Sequence, residues 1–141
     1  DKVHIGSVTK TILAVGILRL VSENKIDIDA PVIKYLPEID FNNEWNETNP
    51  VTVRHLLDHT SGLEDMRLWQ MFTAKAAPNS ALAEAFPNEQ KLLRIRTQPG
   101  KVFSYSNMGY TLLGMIIEKV TNEPYESYLD KNFLKPLGMH D

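Results

Sequence analysis

The sequence contains no cysteine, which excludes disulfides and thiolate metal sites and leaves the redox compartment open. It has no excess of basic charge. Fifteen Lys and Arg stand against eighteen Asp and Glu, for a formal net charge of -3, so no electropositive face is offered to nucleic acid. It also lacks an apolar run long enough to cross a bilayer: the longest, residues 12–21, is interrupted by Gly16 and Arg19. No repeat or low-complexity segment is present. With 141 residues, of which 43% are hydrophobic and 23% charged, the composition is that of one ordinary globular domain with a core of useful size.

Helical periodicity dominates what is there. Residues 3–5 read as the end of a strand, with Gly6 making the turn. Ile12, Val15 and Leu18 recur at helical spacing, which predicts a helix over residues 7–24 with Ser7 and Thr9 in its first turn. Asp29-Ala30-Pro31 opens a short helix that ends near Tyr35. The Asn- and Glu-rich residues 41–50 form a surface loop, and Thr52 caps a helix over residues 53–58 that Thr60-Ser61-Gly62 stops. Short helices are expected over residues 68–76, 81–84 and 89–94, with a break at Pro78-Asn79. A turn at Gln98-Pro99-Gly100-Lys101 leads to a long apolar helix over residues 108–120. Asn122 and Pro124 end it, and residues 125–133 form the last helix.

Two patterns carry chemistry. Ser7-Val8-Thr9-Lys10 opens a helix, and residues three apart share a helix face, so the Lys10 amine reaches the Ser7 hydroxyl. A serine is a weak nucleophile until a neighbouring base takes its proton. The helix N-terminus also favours negative charge on the attacking or attacked oxygen. Taken alone, the spacing favours a helix-capping serine beside a surface lysine. A second copy, Ser22-Glu23-Asn24-Lys25, lies at the wrong end of the helix dipole and reads as chance. The other pattern is Tyr105-Ser106-Asn107, set between a turn and the long helix. A tyrosine passes protons, and an asparagine amide both donates and accepts hydrogen bonds. Its plain alternative is a packed aromatic with Asn107 as the N-cap of the following helix. His4, His55 and His140 have no carboxylate at metal-ligand spacing, and no cofactor is implied.

Together with Ile5-Gly6, residues 53–63, Pro99-Gly100, Met108-Gly109-Tyr110 and residues 134–139, these patterns resemble the serine β-lactamase and penicillin-binding-protein superfamily. The similarity is to the class C type, with its D-alanyl-D-alanine peptidases and esterases, and the matching segments come in that family's order along nearly the whole chain. The resemblance implies Ser7 as the acylated nucleophile, Lys10 and Tyr105 as the general acid–base pair, and Asn107 as the group that orients substrate and Lys10. Either Lys10 or Tyr105 is the implied first proton acceptor. It assigns His59, Thr60 and Ser61 a structural place.

The family's third motif, Lys-Thr-Gly or His-x-Gly on a strand near its C-terminus, does not follow Asn107. That strand supplies one of two oxyanion-hole donors, and losing such a donor costs about 10²–10³ in rate. The expected architecture is therefore mainly α: a single partial domain over residues 1–141, the helical lobe of the β-lactamase/transpeptidase-like α/β fold with most of its antiparallel sheet missing. The chain is expected to be a fragment of a longer product, with little catalysis of its own. Part of the apolar helix after Ser7 should be exposed, available to the missing sheet or to self-association. The implied activity is hydrolysis of a β-lactam, a D-Ala-D-Ala peptide or an ester through an acyl-serine. A β-lactam- or peptidoglycan-sensing module and a non-catalytic helical interaction domain are the competing readings. By resemblance the location is extracytoplasmic.

Overall fold

The computed structural model describes residues 3–65, 82 and 93–140. A 3-10 turn, Gly6–Val8, leads without a break into helix α1, Thr9–Ser22. Leu13, Gly16, Ile17 and Leu20 of α1 are buried, a stripe at helical spacing that turns inward. A Cβ on Gly16 would stand 2.6 Å from Leu129 Cδ2, so this position lets the C-terminal segment lie close against α1. The opposite side of α1 leaves Val8, Val15 and Leu18 exposed, as the sequence led us to expect of an apolar helix with an uncovered face.

Pro31 and Thr52 form an isolated antiparallel bridge, supported by Val32 N donating to Val51 O and Val53 N to Ala30 O. The bridge brings the short 3-10 turn Val32–Lys34 beside helix α2, Val53–Leu57. Thr52 caps α2 as anticipated: its side chain accepts from His55 N, while His55 Nδ1 accepts from Thr52 N. Such a cap stabilises a helix by about 1 kcal/mol. Arg54 adds a paired contact to Asp29, largely solvated and worth little.

Helix α3, Asn107–Thr121, is the centre of the domain. Met108, Gly109, Leu112, Leu113, Gly114, Met115, Ile116 and Ile117 are all buried. A helix apolar around most of its circumference must be surrounded, and α3 packs against α1, α2 and the last helix, α4, Tyr125–Leu129. Each fully buried Leu or Ile there contributes roughly 1.5–3 kcal/mol. Asn122, in the left-handed region at φ 57°, ends α3, the capping role expected of it.

Several expectations are corrected. Residues 3–5 are not a strand: they carry no regular structure, and Val3 and Ile5 are exposed. Their alternation is real, but no strand among the described residues offers them a ladder. The final helix is α only to Leu129, then widens to a π turn, Asp130–Leu134, and tightens to a 3-10 turn, Lys135–Leu137. The helix expected over residues 89–94 does not include its last residue: Arg94 and Ile95 form isolated bridges with Asn42 and Leu63. The helix over residues 68–76 and the break at Pro78-Asn79 lie outside the described residues, as does all but Leu82 of residues 81–84. No sheet forms among the described residues, only these three bridges; the mainly helical lobe is as expected.

Candidate active site

Ser7 occupies the 3-10 turn that starts α1, exposed to solvent, and Lys10 follows it on the same face, half-buried. The Lys10 ammonium donates to Ser7 Oγ at 3.1 Å. From the far side of the sequence, Tyr105 Oη lies 2.7 Å from Ser7 Oγ, and Asn107 Oδ1 accepts from Lys10 Nζ at 2.7 Å. All four residues singled out in the sequence therefore meet at one point. The second Ser-x-x-Lys copy does not converge: Ser22 Oγ donates to Arg19 O, and Lys25 pairs with Glu23.

Asn107 is not the cap of α3. Ser106 is, its buried Oγ accepting from Gly109 N at 3.1 Å. This frees the Asn107 amide to turn toward Lys10. Asn and Ser are about equally suited to cap a helix, so sequence alone does not separate Asn107 from Ser106.

Two contributors to the site were not legible as such. His59 stands just past α2 with φ 59°, a left-handed conformation uncommon for a residue with a Cβ. It turns the imidazole onto the Tyr105 ring, centroids 4.5 Å apart, with Tyr110 at 5.1 Å on the same histidine. Its Nδ1 accepts from Ser106 N at 3.2 Å, so Nδ1 carries no proton and His59 is a neutral acceptor there. Its backbone carbonyl accepts from Ser104 N at 2.7 Å. His59 thus pins the Tyr105 segment at three places without touching Ser7. Ser61, expected to be structural, is buried and accepts from Leu63 N. The other contributor is Asp65. Its carboxylate accepts from Asn107 N at 2.6 Å, Asn107 Nδ2 at 2.9 Å and Met108 N at 3.3 Å. One of two adjacent acidic residues, Glu64 and Asp65, in a stretch of low periodicity carries no signal of such a partner.

Gly62, between these two, is required by close approach. At φ +70° its missing Cβ would lie 2.2 Å from the carbonyl oxygen of Thr97, and its own carbonyl accepts from Arg96 N at 2.8 Å. The chain from His59 to Asp65 is thereby laid against residues 94–104, which carry Tyr105 to the serine.

The electrostatics follow from the geometry. Lys10, then Ser7, hold the Tyr105 phenol below its ordinary value through hydrogen bonding to the ionised form. The Lys10 ammonium also stands 5.0 Å from the Tyr105 ring centroid and 5.7 Å from that of Tyr110. Burial, then the Lys10 charge, push the His59 imidazole below its ordinary value. Burial pushes Tyr110 up, and its hydroxyl donates to Leu57 O at 3.0 Å. A serine hydroxyl is thus held between a lysine and a phenol whose ionised form is favoured, and that phenolate is a group able to take up the serine proton and leave a nucleophilic oxygen.

The chain is similar to several known proteins. The Beta-lactamase family matches residues 2–141. The chain is 35% identical over 140 residues to Protein flp of Staphylococcus aureus (strain NCTC 8325 / PS 47), covering 98% of this chain and 27% of that protein. It is 32% identical over 146 residues to Esterase EstB of Burkholderia gladioli, covering 98% and 37%. Among solved structures, a D-stereospecific amidohydrolase from Streptomyces sp. superposes with a TM-score of 0.78 at 33% identity, over 98% of this chain and 43% of that one. The chain therefore spans well under half the length of each of these relatives.

Proposed function

The chain belongs to the Beta-lactamase family, and from that membership we propose that it carries the nucleophile and the proton-transfer groups of a serine hydrolase working through an acyl-serine. The observation that carries the reading is the Ser7 hydroxyl, 2.7 Å from Tyr105 Oη and 3.1 Å from Lys10 Nζ. Tyr105, as the phenolate, takes the serine proton and becomes the phenol, favoured by the short contact and by the lowered phenol. Lys10 donates to Ser7 Oγ and to Asn107 Oδ1 and holds the serine in place. Ser7 Oγ then attacks the substrate carbonyl, Tyr105 returns the proton to the leaving group, and water releases the acyl group by the same route in reverse. General acid–base transfer of this kind contributes about 10²–10⁴ in rate.

The substrate class we propose is an ester or amide of a small acyl group, D-amino acid peptides and the strained β-lactam amide included. The names of relatives as an esterase and a D-stereospecific amidohydrolase support this breadth. The 141 residues by themselves are proposed to turn over poorly, because one oxyanion donor is worth about 10²–10³ in rate and no motif after Asn107 supplies a second.

The test is intact mass of the full-length protein after incubation with a fluorophosphonate, followed by peptide mapping. The expected result is one adduct on Ser7 that Ser7→Ala abolishes. A fully folded protein that gains no adduct, or gains it elsewhere, overturns the assignment. Esters, a D-amino acid amide and a chromogenic cephalosporin offered in parallel then rank the substrates.

A further inference from the structure

The Asn107 amide has two chemically different ends, and only one arrangement of them suits its neighbours. A carboxylate accepts hydrogen bonds and cannot donate; an ammonium donates and cannot accept. Asp65 lies on one side, its Oδ2 2.9 Å from Asn107 Nδ2, and Lys10 on the other, its Nζ 2.7 Å from Asn107 Oδ1. Turning the amide over would set oxygen against carboxylate and NH₂ against ammonium, two repulsive contacts in place of two charge-assisted bonds. We propose that Asp65 is a positioning residue for the site: it fixes which way the Asn107 amide faces and so keeps an acceptor on the Lys10 ammonium. This rests on the hydrolase reading above for its purpose, though not for its geometry.

The plainer role, capping α3, does not account for the contact. Asp65 Oδ1 does accept the backbone N–H groups of Asn107 and Met108, the service a cap performs. Ser106 Oγ already supplies the N-cap bond to Gly109 N, however, and the bond to the Asn107 side chain lies outside any cap.

The carboxylate also acts by its charge. Around Tyr105 stand Lys10 from α1, His59 and Asp65 from the stretch after α2, and Tyr110 from α3, with Asp58 acting on His59 and Tyr110. In this group Lys10 favours the phenolate and Asp65 opposes it. Removing the Asp65 charge therefore lets Tyr105 ionise at lower pH.

The experiment uses the full-length protein labelled with ¹³Cζ-tyrosine, with Asp65→Asn, Asp65→Ser and Asp65→Glu. In the Asn and Ser variants the Tyr105 titration moves to lower pH, because the charge that opposed the phenolate is gone. Ser7 acylation by a fluorophosphonate slows by about 10–100-fold, as loss of an outer orienting partner does at metal sites. The Glu variant restores the charge and the titration. A variant that only lowers thermal stability, leaving the Tyr105 titration and the acylation pH profile unmoved, reduces Asp65 to a cap and overturns the proposal. In Asp65→Ser the Asn107 side-chain amide resonance should move from its place in the unaltered protein; an amide indifferent to the change also overturns the proposal. Both NMR readings need no substrate, so a protein that never acylates at Ser7 refutes the hydrolase reading and leaves these results standing.

Discussion

Gly62→Ala tests whether the site depends on one close backbone crossing. Two costs are distinguishable there. At φ +70° an L-residue is held in the left-handed region, which costs about 1–2 kcal/mol. The new Cβ would also lie 2.2 Å from Thr97 O and 2.8 Å from Thr97 Oγ1. The first is main chain and cannot rotate aside, so residues 62 and 97 must separate, with an overpacking cost of about 1–3 kcal/mol. The expected loss is then roughly 2–5 kcal/mol. Gly138 provides the internal control: its φ is +73°, but nothing lies within 4 Å of its Cβ position. Gly138→Ala should show the conformational cost alone, about 1–2 kcal/mol. Urea unfolding of the two variants beside the unaltered protein gives the difference directly. Because Gly62 lies between His59 and Asp65, Ser7 acylation should also slow in its variant and not in that of Gly138. Equal losses of stability at the two positions would refute the steric argument. A destabilised Gly62 variant with unchanged acylation would refute the claim that this crossing places Tyr105 and Asn107.

Tyr105→Phe keeps the ring against His59 and removes only the hydroxyl that meets Ser7; acylation should fall by about 10²–10⁴, while unfolding stability, read by urea, changes by less than about 0.5 kcal/mol. The two depressed histidines set a pH dependence. Burial is the first cause at both His55 and His59, so the folded protein holds them neutral and the unfolded chain binds more protons in acid. Their contribution to stability is full above the ordinary histidine value, about pH 6.5, and is lost as pH falls through their lower folded values. The melting temperature should decline below about pH 6.5, and more shallowly in His59→Gln, whose amide can still accept from Ser106 N. An unchanged slope in that variant would remove His59 from the account.

Local signals were readable where neighbours in sequence decide the structure. Thr52 capped the helix it was expected to cap, and the stripe of Leu13, Ile17 and Leu20 turned inward at helical spacing. Ser7 and Lys10 met because both lie at one helix start, and their meeting with Tyr105 and Asn107 was legible only through the family resemblance of the segments in their order, not through spacing. Failures came where a distant partner decides. Residues 3–5 have a strand's alternation but no ladder among the described residues. Arg94 carries helical propensity but pairs with Asn42 in a bridge. Asp65 and His59 contribute through atoms more than forty positions away, at Asn107 and Ser106, and nothing in their own surroundings announces it. Ser106 and Asn107 are both good caps, and tertiary demand on the Asn107 amide is what separated them.

Ser7 is separated from Tyr105 by 98 residues and Lys10 from Asn107 by 97. Closing a loop of that length costs about 4 kcal/mol in chain entropy, which only the docking of α1 on α3 can offset. Ser7 therefore lacks Tyr105, and Lys10 lacks Asn107, until the chain through residue 107 has packed. Assembly of the Ser7 cluster thus reports that α1 has docked on α3.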